Sequence, residues 1–129
     1  KLLETGYKTA SVFSGLAYVA WEQKNVNLSI EYYEKALAID KENPTALNGL
    51  GYVLACSDKD LTKALFLCKK AVDYYPESAA FLDSLGWVYH KLGLEKEAIT
   101  FIKRAMDINP SIDEIKNHYK EVYGKREGS

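Results

Sequence analysis

Residues 82–93 read LDSLGWVYHKLG, and the reading of this stretch decides the fold. Asp83, Ser84 and His90 fall within eight positions, the letters of a hydrolytic triad. A helix places them differently. Leu82, Leu85 and Tyr89 recur at three-to-four spacing and so share one helical face. Asp83 and Ser84 are consecutive, so their side chains diverge around that helix. His90 lies six residues past Ser84, over half a turn out of phase. A triad needs its base within about 3 Å of the nucleophile, so these letters are not catalytic. Gly93 then ends the helix, because glycine accepts a left-handed C-terminal cap without penalty.

Sliding the chain against itself shows where the stretch comes from. Leu85-Gly86 aligns with Leu50-Gly51 and Leu16-Ala17, and Ala105 with Ala71 and Ala36, at spacings of 34 or 35. A fixed period in this range marks a repeat architecture. The segments are residues 10–43, 44–78 and 79–112, the middle one carrying an extra residue in its turn near Ser57 to Asp60. Each reads helix, turn, helix. The apolar spacing predicts helices near 10–23, 26–40, 44–56 and 61–74, then the stretch itself, then 95–108, where Asn109-Pro110 stops the chain. A last helix is predicted near 111–123, with Ile115, Tyr119, Val122 and Tyr123 inward and Asn117, His118, Lys120 and Glu121 in water. Ala17, Gly51 and Gly86 on first helices, and Ser29, Ala64 and Ala98 on second helices, let paired backbones approach closely.

Composition narrows the function classes. The chain has 129 residues, 47% hydrophobic and 27% charged, enough for one compact domain. Seventeen Lys and Arg against eighteen Asp and Glu leave no basic excess to draw in nucleic acid. No apolar run is long enough to span a bilayer. Cys56 and Cys68 form neither a zinc pattern nor a CxxC motif and read as free, inert thiols. They leave the compartment open between bacterial cytoplasm and periplasm for a soluble chain.

Leu82, Leu85, Gly86 and Tyr89, followed by Ala98, Ile102, Ala105 and Pro110, make the third segment similar to the tetratricopeptide (TPR) pattern, with Leu82 in the place of the usual Trp. The second segment resembles it well. The first departs, with Ala20 for an aromatic and Lys41 for a proline. The DSLGW wording resembles bacterial members. The resemblance implies an all-α, right-handed superhelical solenoid whose first helices line a concave groove for an extended peptide or a helix.

The groove positions the resemblance implies include Ser14, Tyr18, Trp21 and Glu22, then Asn48 and Tyr52, then Asp83, Trp87, His90 and Lys91. Tyr18, Tyr52 and Trp87 share one repeat position and form an aromatic stripe, expected in the groove because Leu16, Leu50 and Leu85 fill the core. A subgroup of the family clamps the C-terminal carboxylate of chaperones with lysines, asparagines and an arginine. Only Asn48 fits, and Asp83 would repel a carboxylate, so no such clamp is expected.

The expected function is therefore a protein-interaction module, with no reaction and no cofactor. The alternative is a structural or oligomerisation module whose groove or N-terminal edge packs on another copy or a neighbouring domain. Glu114 and His118 sit four apart, as two metal ligands can, but two ligands make no site and the pair reads as a solvated face. Lys69-Lys70 and Lys103-Arg104 read as cations offsetting helix dipoles. Residues 1–9 read as the tail of a preceding helix stopped by Gly6, leaving Leu2, Leu3 and Tyr7 as a torn edge. Residues 124–129 read as a disordered tail.

Overall fold

A computed structural model describes the backbone of residues 4–128 and the side chains of residues 4–124. Among the described residues there are seven helices: α1 (Glu4–Glu22), α2 (Val26–Ile39), α3 (Pro44–Cys56), α4 (Leu61–Tyr74), α5 (Ala79–Lys91), α6 (Glu95–Ile108) and α7 (Asp113–Gly128). There is no strand among them, and no helix there is long and apolar enough to cross a membrane. Each helix packs on the next, and α1, α3, α5 and α7 also touch in succession. The chain is thus a one-dimensional stack of helical pairs.

Local chemistry sets the helix ends. The side chains of Asn25, Asn43, Asp60 and Ser78 each accept from a backbone N–H three residues on, capping α2, α3, α4 and α5. Pro44 opens α3, where its missing N–H costs nothing. Leu94 gives α6 no side-chain cap, and Glu95 and Glu97 in its first turn face the helix dipole instead. Lys24, Asp58 and Gly93 hold equivalent places in the three hairpin turns, all with positive φ: 64°, 55° and 82°. The middle turn holds the extra residue, running 57–60 where the others run 23–25 and 92–94.

The small residues mark the closest approaches. A Cβ on Gly51 would lie 2.5 Å from Cys68 Sγ, and one on Gly86 2.5 Å from Ile102 Cγ1. In the first pair Ser29 Oγ donates to Ala17 O at 2.8 Å. Around these seams lie Leu47, Leu50, Leu82, Ile102 and Ile115, all fully buried. Each such side chain contributes roughly 1.5–3 kcal/mol. Cys56 and Cys68 are free, and burial pushes the Cys68 thiol up to about 12.

Four expectations change. Leu16 is 42% exposed, although Leu50 and Leu85 at the same repeat position are 1% and 3% exposed. The α2 and α4 helices cover α3 and α5, whereas no described helix lies on that side of α1. Gly6 does not stop a helix, since α1 runs through it from Glu4, and Tyr7 is exposed on α1; Leu2 and Leu3 lie outside the described residues. The last helix does not end near 123, since α7 is helical to Gly128; Ser129 lies outside the described residues. On α7, Ile115 and Val122 are buried as expected, but Tyr123 is exposed and His118 is buried.

Candidate functional site

Four helices, α1, α3, α5 and α7, meet around a pocket of about 250 Å³. Tyr18, Trp21 and Glu22 come from α1, Asn48 and Tyr52 from α3, Asp83 from α5 and Glu114 from α7. Trp21 and Tyr52 meet edge to face, with centroids 6.1 Å apart. Tyr33 of α2 reaches the same pocket over Gly49, where any Cβ would collide with its ring. A second hollow continues along α1 past Ser14 and Thr45, sharing Tyr18 and Tyr33 with the first.

Two polar atoms in this surface lack a partner among the described residues. Ser14 is 4% exposed and its Oγ makes no hydrogen bond. Asn48 Oδ1 is equally enclosed and equally unpaired. A buried polar group without a partner costs about 1–3 kcal/mol, and such atoms are rare in folded chains.

The third repeat departs from its expected role. The resemblance puts Asp83 and His90 in the groove, yet they are 4% and 8% exposed. The reason is α7, which packs over α5. His118 Nδ1 donates to Asp83 at 2.8 and 3.0 Å, and its ring stacks on Trp87 at 4.1 Å. Tyr52 donates its hydroxyl proton to Glu114 Oε2 at 2.7 Å, with His118 Nε2 at 3.4 Å. His90 is held by Glu95 at 2.7 Å and Glu121 at 3.4 Å. Lys91 pairs with Asp58 at 3.1 Å. Glu114 stays exposed while His118 is buried, and both reach the Tyr52 hydroxyl. The aromatic stripe splits accordingly: Tyr18 is 56% exposed, while Tyr52 and Trp87 are half-buried beneath α7.

Sequence reasoning passed over Tyr33 and Gly49, and read Glu114 only as part of a solvated face. Gly15 and Gly49 share a repeat position, with Ser84 in the third repeat. Only at Gly49 does something large cross, the Tyr33 ring; nothing stands within 4 Å of a Cβ at Gly15.

Burial holds the Asp83 carboxyl above its ordinary range; His118 pulls it down and Glu114 pushes it further up. An acid raised on folding gives stability that is complete below its unfolded pKa and lost as pH rises through the folded one. Asp83→Asn keeps an acceptor for His118 Nδ1–H and removes that loss. The variant should match or exceed the parent at pH 7, within about 1 kcal/mol, and its relative gain should vanish near pH 3. Urea melts across this range test it. A deficit at pH 7 would mean that the carboxylate's contact with His118 outweighs its burial.

Two tetratricopeptide-repeat family profiles match, one over residues 14–73 and one over residues 79–112. The chain belongs to the tetratricopeptide repeat family. A TPR repeat-containing protein of Pseudomonas aeruginosa is 34% identical over 74 residues, which cover 57% of this chain. The match spans 12% of that protein's length. Among solved structures, the first TPR of Spaghetti (RPAP3) bound to an HSP90 peptide superposes with a TM-score of 0.79 at 19% identity, covering 95% of both chains. An O-GlcNAc transferase mutant of Thermobaculum terrenum gives 0.85 at 21%, covering 94% of this chain and 23% of that one. The Sgt2 TPR domain of Aspergillus fumigatus gives 0.79 at 19%, covering 92% and 79%. The TPR fold is thus a superhelical solenoid, here of three helical pairs and α7.

Proposed function

We propose that this TPR chain is a protein-interaction module that takes an extended peptide or one helix of a partner along the α1–α3 face of its groove. The observation that carries the reading is the pocket beside Tyr18, Trp21 and Tyr52, with the unpartnered Asn48 Oδ1 in its wall and the unpartnered Ser14 Oγ in the adjoining hollow. A bound backbone supplies the hydrogen bonds that Ser14 and Asn48 lack, and apolar side chains cover the rings. The Spaghetti domain with its HSP90 peptide supports the class of ligand. Ser14, Tyr18, Trp21, Asn48 and Tyr52 are the proposed contacts. Asp83 lines the pocket from below while holding His118 of α7, Trp87 and His90 pack against α7, and Lys91 pairs with Asp58. An acidic chaperone tail is not the proposed ligand, because Glu22 and Glu114 stand where it would lie.

Tyr18→Ala tests the reading, since an exposed residue can be cut with a stability change within about 0.5 kcal/mol. Partners retained by the parent on a column should be lost from the variant, by about tenfold or more in affinity. Retention of the same partners by both proteins would end the groove reading. A second reading has its own observation. Val12, Leu16 and Val19 form an exposed apolar strip on α1, at 61%, 42% and 50%. The equivalents of Leu16 and Val19, namely Leu50, Val53, Leu85 and Val88, are buried. If this edge joins copies, light scattering of the parent rises with concentration and that of Leu16→Glu does not.

A further inference from the structure

We infer that the groove pocket takes a cation: the partner segment it binds presents an arginine or lysine side chain between the aromatic walls and the carboxylates of α1 and α7. This rests on the groove reading above and names the chemistry of its ligand.

Charge is the first observation. Glu22, Asp83 and Glu114 line the pocket, and among the described residues no lysine, arginine or histidine does. The chain as a whole is nearly neutral, with a net charge of −1. The negative sign is therefore local to this pocket. Neighbouring cations are committed elsewhere: Lys91 to Asp58, and Lys116 to Asp113 at 3.4 Å. His118 hydrogen-bonds Asp83, the deepest of the three carboxylates, and reaches neither Glu22 nor the open oxygen of Glu114 in any described hydrogen bond.

Hydrogen-bond polarity is the second. Asn48 Oδ1 is an acceptor with no donor among the described residues. Glu114 receives one proton from Tyr52 through Oε2, which leaves Oε1 open. These are acceptor atoms, and a guanidinium or ammonium brings only donors. Ser14 Oγ, on a side chain 4% exposed, waits unpartnered in the adjoining hollow, one step along the groove. It can accept a backbone N–H of the residue that follows the cation.

The walls are the third. Trp21, Tyr18 and Tyr52 give aromatic surface of the kind that attracts a cation, most strongly when water is excluded. The field of the carboxylates is felt by the groove's own groups. The Tyr18 hydroxyl is raised above its ordinary range, first by the charge of Glu22 and least by that of Glu114. Burial and the hydrogen bond to Glu114 raise that of Tyr52. A group that must gain negative charge is disfavoured here, and one that brings positive charge is favoured.

A random dodecapeptide library displayed on phage, selected on the parent chain, tests this. Ligands that depend on the groove are those weakened by Tyr18→Ala. These should share a basic residue, and changing it to norleucine should cost about tenfold in affinity. The double variant Glu22→Gln with Glu114→Gln should shrink that cost to about twofold, since the amide introduced on α7 would still accept from Tyr52 while the charge is gone. Thermal melting of the double variant checks that α7 stays docked. Groove-dependent ligands with no needed basic residue, or with an acidic one, overturn the cation inference and leave the groove reading standing. If no selected ligand is weakened by Tyr18→Ala, the groove reading falls and the cation inference falls with it.

Discussion

Trp87→Ala should lower stability by about 2–4 kcal/mol and loosen α7, while leaving the α1–α3 pocket in place. The sequence pointed the other way, to an exposed ring whose loss weakens binding and spares the fold. The ring instead packs against the cluster of Leu82, Ala98, Ile102, Ile115 and Val122. His118 stacks on it at 4.1 Å and His90 lies 4.8 Å away. A fully buried Trp costs about 3–5 kcal/mol when cut to alanine, and Trp87 is half-buried, which sets the lower range. Its loss also opens the Asp83–His118 pair to water. Urea unfolding gives the free energy, and hydrogen exchange of α7 amides gives the local effect. A variant that melts within about 0.5 kcal/mol of the parent and loses partner binding would return Trp87 to the groove.

The difference between α5 and the groove shows what the sequence held and what it did not. The period, the hairpin turns and the small residues at the seams are local or repeated signals, and they were legible. Even the extra residue near Ser57 to Asp60 could be placed, because the neighbouring repeats fix the register on both sides. Burial on α7 was harder. Ile115, Tyr119 and Val122 satisfy three-to-four spacing, and so do Ile115, His118 and Val122. Hydropathy favours the tyrosine. The fold buries the histidine, because Asp83 and Trp87 wait opposite it on α5, 35 and 31 residues away in the chain. No single-helix pattern carries that information.

Leu16 teaches the converse. Its motif equals that of Leu50 and Leu85, yet it is exposed, because burial depends on a neighbouring helix and not on the repeat itself. The groove was half legible for a similar reason. Tyr18, Trp21, Glu22, Asn48 and Tyr52 of α1 and α3 line one pocket, while Ser14 is buried beside it. Side chains on α5 are claimed by α7, a helix outside the repeat alignment.

Gly86→Leu should destabilise the chain by about 1–3 kcal/mol. An ideal Cβ at Gly86 would stand 2.5 Å from Ile102 Cγ1, 3.0 Å from Ala98 O and 3.1 Å from Ile102 N. Two of these are backbone atoms of α6, so a rotamer change cannot relieve them. Helices α5 and α6 must separate, and the cluster beneath them opens. Replacing glycine inside a helix returns up to about 1 kcal/mol of propensity, which offsets part of the cost. Gly15 provides the control. It lies on a first helix of the same kind, but nothing stands within 4 Å of its Cβ position. Gly15→Ala should therefore stabilise by a few tenths to about 1 kcal/mol, from propensity alone. The two variants thus separate close packing from helix propensity by sign. Urea melts of both, run beside the parent, read that sign directly. If Gly86→Leu is as stable as Gly15→Ala, the seam between α5 and α6 is not the close contact that fixes the repeat.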